Sequence, residues 1–211
     1  MVLPATLTAQ RERLPTLLLI GGFTAVFVGY LSVWLPGPAV GLQFLGVELG
    51  EWVKFLGVGP NRDWFYAPPI TLALLLIFWT TTWGNGRWQT WAARGLAVAI
   101  SFLAFPAIED IAGPAREQYT GRVYQILFVF LLALLSGLAG NRLAKRWPYL
   151  PWLLMAGVGL VGAIGPTWMY WQIFPYVSQL VGVPVGIGWG VWLNGLGHGL
   201  VTAVALWQLR Q

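Results

Sequence analysis

The chain has 211 residues, of which 57% are hydrophobic, 15% aromatic and only 9% charged, with a net charge of +5. A soluble domain carries roughly 25% charged residues, so the 12 basic and 7 acidic side chains cannot coat a soluble particle of this size. Abundant apolar residues exclude a disordered chain. What is left is an all-α integral membrane protein, a bundle of about six transmembrane helices read as a single polytopic domain over 1–211.

A bilayer core of about 30 Å takes about 20 apolar residues per helix. The first run, 14–35, lies between Arg11 and Arg13 on one side and Pro36, Gly37 and Pro38 on the other. It is longer than a signal-peptide core and no A-x-A site follows it, so it reads as a retained span. Segment 39–57 places Leu42, Leu45, Leu49, Trp52 and Leu56 on one helical face with Glu48, Glu51 and Lys54 off it. An external amphipathic helix is expected there, with Glu51 and Lys54 paired at i, i+3 and the carboxylates on its solvated edge. Further spans are expected at 68–83, at 91–111 with a kink at Pro106, at 123–140, at 149–165 and at 183–209. Between the last two, 166–182 carries Trp168, Tyr170, Trp171, Phe174 and Tyr176 without a charge, and reads as an interfacial or re-entrant segment.

Charge placement orients this arrangement. With the N-terminus inside, Arg11, Arg13, Arg87, Arg94, Arg142, Lys145, Arg146 and Arg210 fall in cytoplasmic segments, as the positive-inside rule requires. Lys54, Arg62, Arg116 and Arg122 fall outside together with every acid except Glu12. The expected location is a bacterial-type inner (plasma) membrane with both termini cytoplasmic. The basic residues are scattered between apolar runs, which is a topology signal and gives no nucleic-acid surface.

Composition also limits the chemistry. Without cysteine there is no thiolate, Fe–S cluster or Cys-ligated metal, and with one histidine, His198, no bis-His haem within one copy. No metal site is read from the sequence, and beyond these exclusions the cofactor is left open.

The candidate ligand or proton-site residues lie in two places. Stepping by four through the last span gives Gly186, Gly190, Asn194, His198 and Thr202, a polar stripe beside Trp189 and Trp192. The leading reading is helix packing, and the sharper one a ligand or proton site at Asn194 and His198. Glu109 and Asp110, near the outer end of the third span, read as acids at the bundle mouth paired with Arg116 or Arg122, or as a proton or cation site. Small-residue patterns (Gly21 and Gly29 in the first span; Gly186, Gly190, Gly195 and Gly199 in the last) predict that these two spans pack together or mediate oligomer contacts.

Three functional classes follow. The first is a structural or accessory subunit of a larger membrane complex, with the bilayer and other membrane subunits or self-association as partners. The second is a small-molecule transporter or substrate-binding subunit with a site between spans three and six. The third is an intramembrane enzyme acting on a lipid-like substrate, which would need converging acid–base groups that His198 and Glu109, at opposite ends of the bundle, do not supply. The protein therefore reads as leaning away from an enzyme.

Overall fold

The computed structural model describes residues 5–37, 43–57, 59–83, 87–114 and 116–211, of which 5–12, 59 and 60 are described by backbone alone. Its elements are α1 (Ala5–Tyr30), β1 (Val33–Leu35), β2 (Phe44–Leu45), α2 (Gly46–Trp52), α3 (Ala67–Thr81) and α4 (Trp88–Ser101). They continue with α5 (Ile108–Ala112), α6 (Glu117–Leu135), α7 (Asn141–Arg146), α8 (Leu150–Val181) and α9 (Trp189–Gln208). The protein is mostly helical. Four stretches, Arg13–Tyr30, Asn61–Thr81, Glu117–Arg146 and Leu150–Val181, are long and apolar enough to cross a membrane.

The helix α3 is the axis of the bundle. Ile70, Leu72, Ala73, Leu75, Leu76 and Ile77 are all buried, because α4, α6 and α8 pack around it. A second apolar cluster closes one end, where Trp34, Leu35, Leu49, Val53 and Phe65 meet Tyr170 and Val191. At this cap end the antiparallel pair β1–β2 ties the chain after α1 to the start of α2. At the opposite, basic end, Pro15, Thr16, Thr82, Trp152, Gln208 and Arg210 surround an open bowl of about 730 Å³.

Five expected segments differ from what is observed. The first span, expected over 14–35, ends as a helix at Tyr30, and its last residues form the strand Val33–Leu35. Segment 166–182 is not separate: α8 runs unbroken through Pro166 and Pro175 for 32 residues and ends at Gly182, whose φ of 74° suits glycine alone. A proline that would end a helix in water is tolerated where an apolar surround keeps the remaining backbone groups bonded within the helix. The third span, by contrast, breaks instead of kinking. Phe105, before Pro106, is extended (φ −69°, ψ 129°), as sterics before proline favour, and the chain restarts in the short α5.

The expected amphipathic helix 39–57 is also shorter. Residues 38–42, with Leu42, lie outside the described residues; the helix proper is α2, continued by a 3₁₀ turn Val53–Leu56. It is folded against the bundle through the buried Leu49 and Val53. Finally, α9 starts at Trp189 and not at 183. Segment 183–188 is held in place by Val185 N–H donating to Ser178 Oγ, Gly188 N–H donating to Trp34 O and Tyr170 O–H donating to Gly186 O.

The helices α1 and α9 cross closely, backbone to backbone. A Cβ on Gly22 would lie 2.7 Å from Val201 Cγ2, and one on Gly29 would lie 2.7 Å from Asn194 N. Across the seam, a Cβ on Gly197 would lie 2.7 Å from Gly22 O and one on Gly190 2.6 Å from Gly29 O. The seam therefore repeats every seven residues on both helices, about two turns each. Gly21 and Gly199 meet open space, Gly195 is 3.8 Å from Thr167, and Gly186 lies outside the helix.

Candidate functional site

The stripe Asn194, His198 and Thr202 faces α8 and α3 and is buried. His198 Nδ1 lies 3.0 Å from Asn194 O, which can only accept, so Nδ1 carries the proton. In the neutral ring Nε2 then accepts from the Thr71 hydroxyl at 2.8 Å. Asn194 Nδ2 donates to Gly162 O at 3.2 Å. Gly162 is there because a Cβ would collide with the His198 ring, and Gly159 because one would collide with Thr202 Oγ1. His198 thus ties α9 to α3 through Nε2 while Nδ1 bonds its own helix, and Asn194 Nδ2 adds the tie to α8.

Replacing Gly162 by alanine is expected to push the ring off Thr71 and destabilise the protein by about 2 kcal/mol through overpacking and the lost bond. Thermal unfolding in mild detergent measures it; an unchanged midpoint would dismiss the joint.

Trp189 and Trp192 point the other way, 78% and 51% exposed, so they do not share a pocket with His198. Glu109 is exposed and Asp110 half-buried on α5, beyond the break at Pro106 and away from the α3–α8–α9 joint. Arg122, offered above as a partner for Glu109, binds Glu51 instead.

That pair is the centre of a polar cluster at the cap end. Glu51 comes from the last turn of α2, and Arg62, Asp63 and Tyr66 from the 3₁₀ helix Gly59–Tyr66 that leads into α3. Tyr119 and Arg122 stand one turn apart on α6, and Tyr30 ends α1. Arg122, only 1% exposed, donates from Nη2 to Glu51 Oε1 at 3.0 Å, and the Tyr66 hydroxyl donates to the same oxygen. The second oxygen of Glu51 accepts from Lys54 Nζ at 3.3 Å. The Arg122 guanidinium lies between two rings, its Cζ 3.9 Å from the Tyr66 centroid and 4.8 Å from that of Tyr119. Arg62, 5% exposed, stacks on the same Tyr119 ring at 4.9 Å.

Not every polar atom here is bonded. Arg62 Nη2, Arg122 Nε and Nη1, the Tyr30 hydroxyl and Asp63 Oδ1 are buried without a hydrogen-bond partner among the described residues. Two openings flank the cluster. One is an outward bowl of about 440 Å³ lined by Glu48, Glu51, Trp52, Lys54 and Phe55. The other is a lateral groove of about 530 Å³ that starts at Asp63 and Trp64 and reaches Thr71 between α3, α6 and α8. Glu48, expected on a solvated edge, accepts the Leu45 N–H at the start of α2.

Burial alone would raise the Glu51 carboxyl. The Tyr66 hydroxyl, the Arg122 charge and hydrogen bond, and Lys54 outweigh it and hold the pKa below its ordinary 4.5. A depressed carboxyl contributes stability that is fully present above about 4.5 and is lost as pH falls through the folded pKa. The difference in melting temperature between the native chain and Glu51→Gln is therefore expected to be constant above pH 5 and to shrink in acid below about 4.5. A difference that grows in acid would contradict the assignment.

Arg94, counted with the cytoplasmic charges from the sequence, is buried as well. Its Nε donates to Thr80 Oγ1 at 3.1 Å and its Nη2 to Ser136 O at 3.2 Å. The π-helical turn Ser136–Gly140 widens α6 at this point, and Gly137 makes room for the Trp91 ring that carries the Arg94 guanidinium. These arginines were missed because each meets partners far away in sequence; the only local hints were Tyr119 three residues before Arg122 and Trp91 three before Arg94. In comparisons with known proteins, the chain matches no protein family, no curated protein and no solved structure.

Proposed function

We propose that this chain is a multi-pass protein of a bacterial-type inner (plasma) membrane, working as a structural or accessory subunit of a larger membrane assembly. In this reading α1, α3, α4, α6 with α7, α8 and α9 make six crossings, and the four stretches long and apolar enough to cross a membrane fall in α1, α3, α6 with α7, and α8. In α9 the polar Asn194 and His198 face protein, so its low hydropathy is compatible with a span. The helix α4 is short, 14 residues with a 3₁₀ turn after it, and sits against α3 and α6. Arg13, Arg87, Arg142, Lys145, Arg146 and Arg210 gather at the end that the positive-inside rule assigns to the cytoplasm, which puts both termini there.

The observation that carries the accessory reading is the use of the single histidine. Nε2 of its ring and Nδ2 of Asn194 are engaged between helices and Nδ1 is held by the carbonyl one turn back on α9, so the groups best suited to proton chemistry serve as joints. Purification from native membranes in mild detergent, followed by native mass spectrometry, tests it. The expected result is this chain in fixed stoichiometry with other subunits; a stable lone monomer would refute it. A binding subunit is the second reading, favoured by the unpartnered donors at the cap end and located there, not between the third and sixth spans.

A further inference from the structure

A further groove lies at the basic end of the bundle, between the end of α3, the junction of α6 with α7, and the start of α8. Small side chains open it. Ser136, Ala139, Gly140 and Ala144 line one wall, and the π-helical turn Ser136–Gly140 widens the helix there. Ile77 and Phe78 of α3 and Leu150, Pro151 and Leu154 of α8 complete it around a volume of about 190 Å³. Its two hydroxyls, on Thr81 and Ser136, donate to Phe78 O and Ala133 O within their own helices, so the groove offers a ligand no side-chain donor. It suits a hydrocarbon chain and is too narrow for a helix about 10 Å across.

The helix that closes this wall is strongly basic. Leu143 and Ala144 of α7 line the groove, while Arg142, Lys145 and Arg146 are exposed and form no ion pair among the described residues. No acid follows Glu117 in the sequence, and none lies between Ala67 and Arg87, so no wall of the groove supplies a counter-charge. The C-terminal end of α7 contributes only about half a negative charge against three cations. Arg142 and Lys145 are the chain neighbours of Leu143 and Ala144, which puts their Cα atoms about 3.8 Å from those of groove residues. Their flexible stems let the charged heads turn to the mouth while staying in water.

We propose that the groove and α7 together hold one anionic glycerophospholipid. One acyl chain lies in the groove, and the phosphate stays outside it, at the mouth, where it accepts from Arg142 and Lys145. Arg146, stacked on the Trp147 ring at 5.4 Å, adds to the positive field. A zwitterionic headgroup is disfavoured because it brings its own cation to a surface that already carries three. The inference is independent of whether the chain is an accessory subunit.

The test titrates the delipidated full chain in detergent and counts bound lipid by native mass spectrometry. Its probes are dioleoyl phosphatidylglycerol and dioleoyl phosphatidylcholine, which share their chains, with water-soluble glycerol phosphate as the chainless probe. The native chain is expected to retain one phosphatidylglycerol about tenfold more tightly than phosphatidylcholine. Arg142→Gln and Lys145→Gln should each weaken phosphatidylglycerol about fivefold, the scale of one cation near an anionic surface, and leave phosphatidylcholine unchanged. Arg210→Gln removes an equally exposed cation at the same end but outside the groove, and should change retention less than about twofold. Ala139→Trp, at an exposed position on the groove wall, should reduce retention of both lipids.

Equal retention of the two lipids would overturn the proposal, as would glycerol phosphate binding as tightly as phosphatidylglycerol. A loss with Arg210→Gln as large as that with Lys145→Gln would show diffuse attraction to the whole basic end and overturn it too. If the α7 variants do not fold, Ala139→Trp decides alone: undiminished retention of phosphatidylglycerol overturns the proposal.

Discussion

Gly190→Leu is expected to destabilise the protein by about 3 kcal/mol or more, the upper range for an overpacked core. A Cβ at this position would collide with Trp34 Cδ1 and stand 2.6 Å from Gly29 O, and leucine adds three further carbons in the same space. Neither neighbour can yield easily. Gly29 O is main chain on α1, and Trp34 is fully buried with its indole N–H bonded to that same oxygen at 2.9 Å. Relief therefore requires α1 and α9 to separate, which unpacks the Gly22–Gly197 contact two turns away as well. Gly199→Leu and Gly21→Ala are the controls, since both positions meet open space, and changes within about 0.5 kcal/mol are expected there. Melting temperature and monodispersity in mild detergent check the pair. If Gly190→Leu and Gly199→Leu behave alike, the close crossing is not what holds these helices together.

The same seam shows what can be read from sequence. That the first and last spans are rich in glycine is visible without a structure, and the two helices do cross. Which glycines meet is another matter. Gly21 and Gly22 are adjacent, and a shift of one residue rotates the contact by about 100° around the helix. Only the backbone of α9 selects Gly22. Long apolar runs were legible because a chain in hydrocarbon must bond its own backbone, and helix is the local way to do so. That rule also explains the misread at Pro166, where a signal calibrated on aqueous helices suggested an end to the 149–165 span that an apolar surround removes.

The Glu51–Lys54 pair was legible because its partners are one turn apart. The bond from Arg122 to Glu51 spans 71 positions and depends on α2 folding back over the bundle, which no local pattern announces. Charge counting assigned Arg94 to the cytoplasmic segments and Arg122 to the external ones. It could not reveal that both are withdrawn from water and stacked on aromatic rings.

Arg122→Leu is expected to cost about 2–3 kcal/mol, somewhat less than the usual penalty for breaking a buried ion pair. The discount reflects Glu51, whose side chain is 38% exposed and keeps Tyr66 and Lys54 as partners once the guanidinium is gone. The rest of the loss is packing. Leucine cannot fill the slot between the Tyr66 and Tyr119 rings as a planar guanidinium does, and Arg62 loses a neighbour at the shared Tyr119 ring. Arg122→Lys separates the two contributions, since it keeps the charge without the stacking plane and should fall between leucine and the native chain.

Lys54→Ala removes only the exposed arm of the ion pair and should change stability by about 0.5 kcal/mol or less. The effect of Arg122→Leu should also be local. Glu51 is the tie between α2 and α6, so losing Arg122 frees the cap before it melts the bundle. Tryptic cleavage after Lys54 is the direct readout, because a loosened cap exposes that bond while α3, at the centre of the bundle, stays protected. Faster cleavage at Lys54 with intact helical content is the expected result for Arg122→Leu. Unchanged cleavage, or a stability loss no larger than that of Lys54→Ala, would show that the buried arginine does not hold the cap.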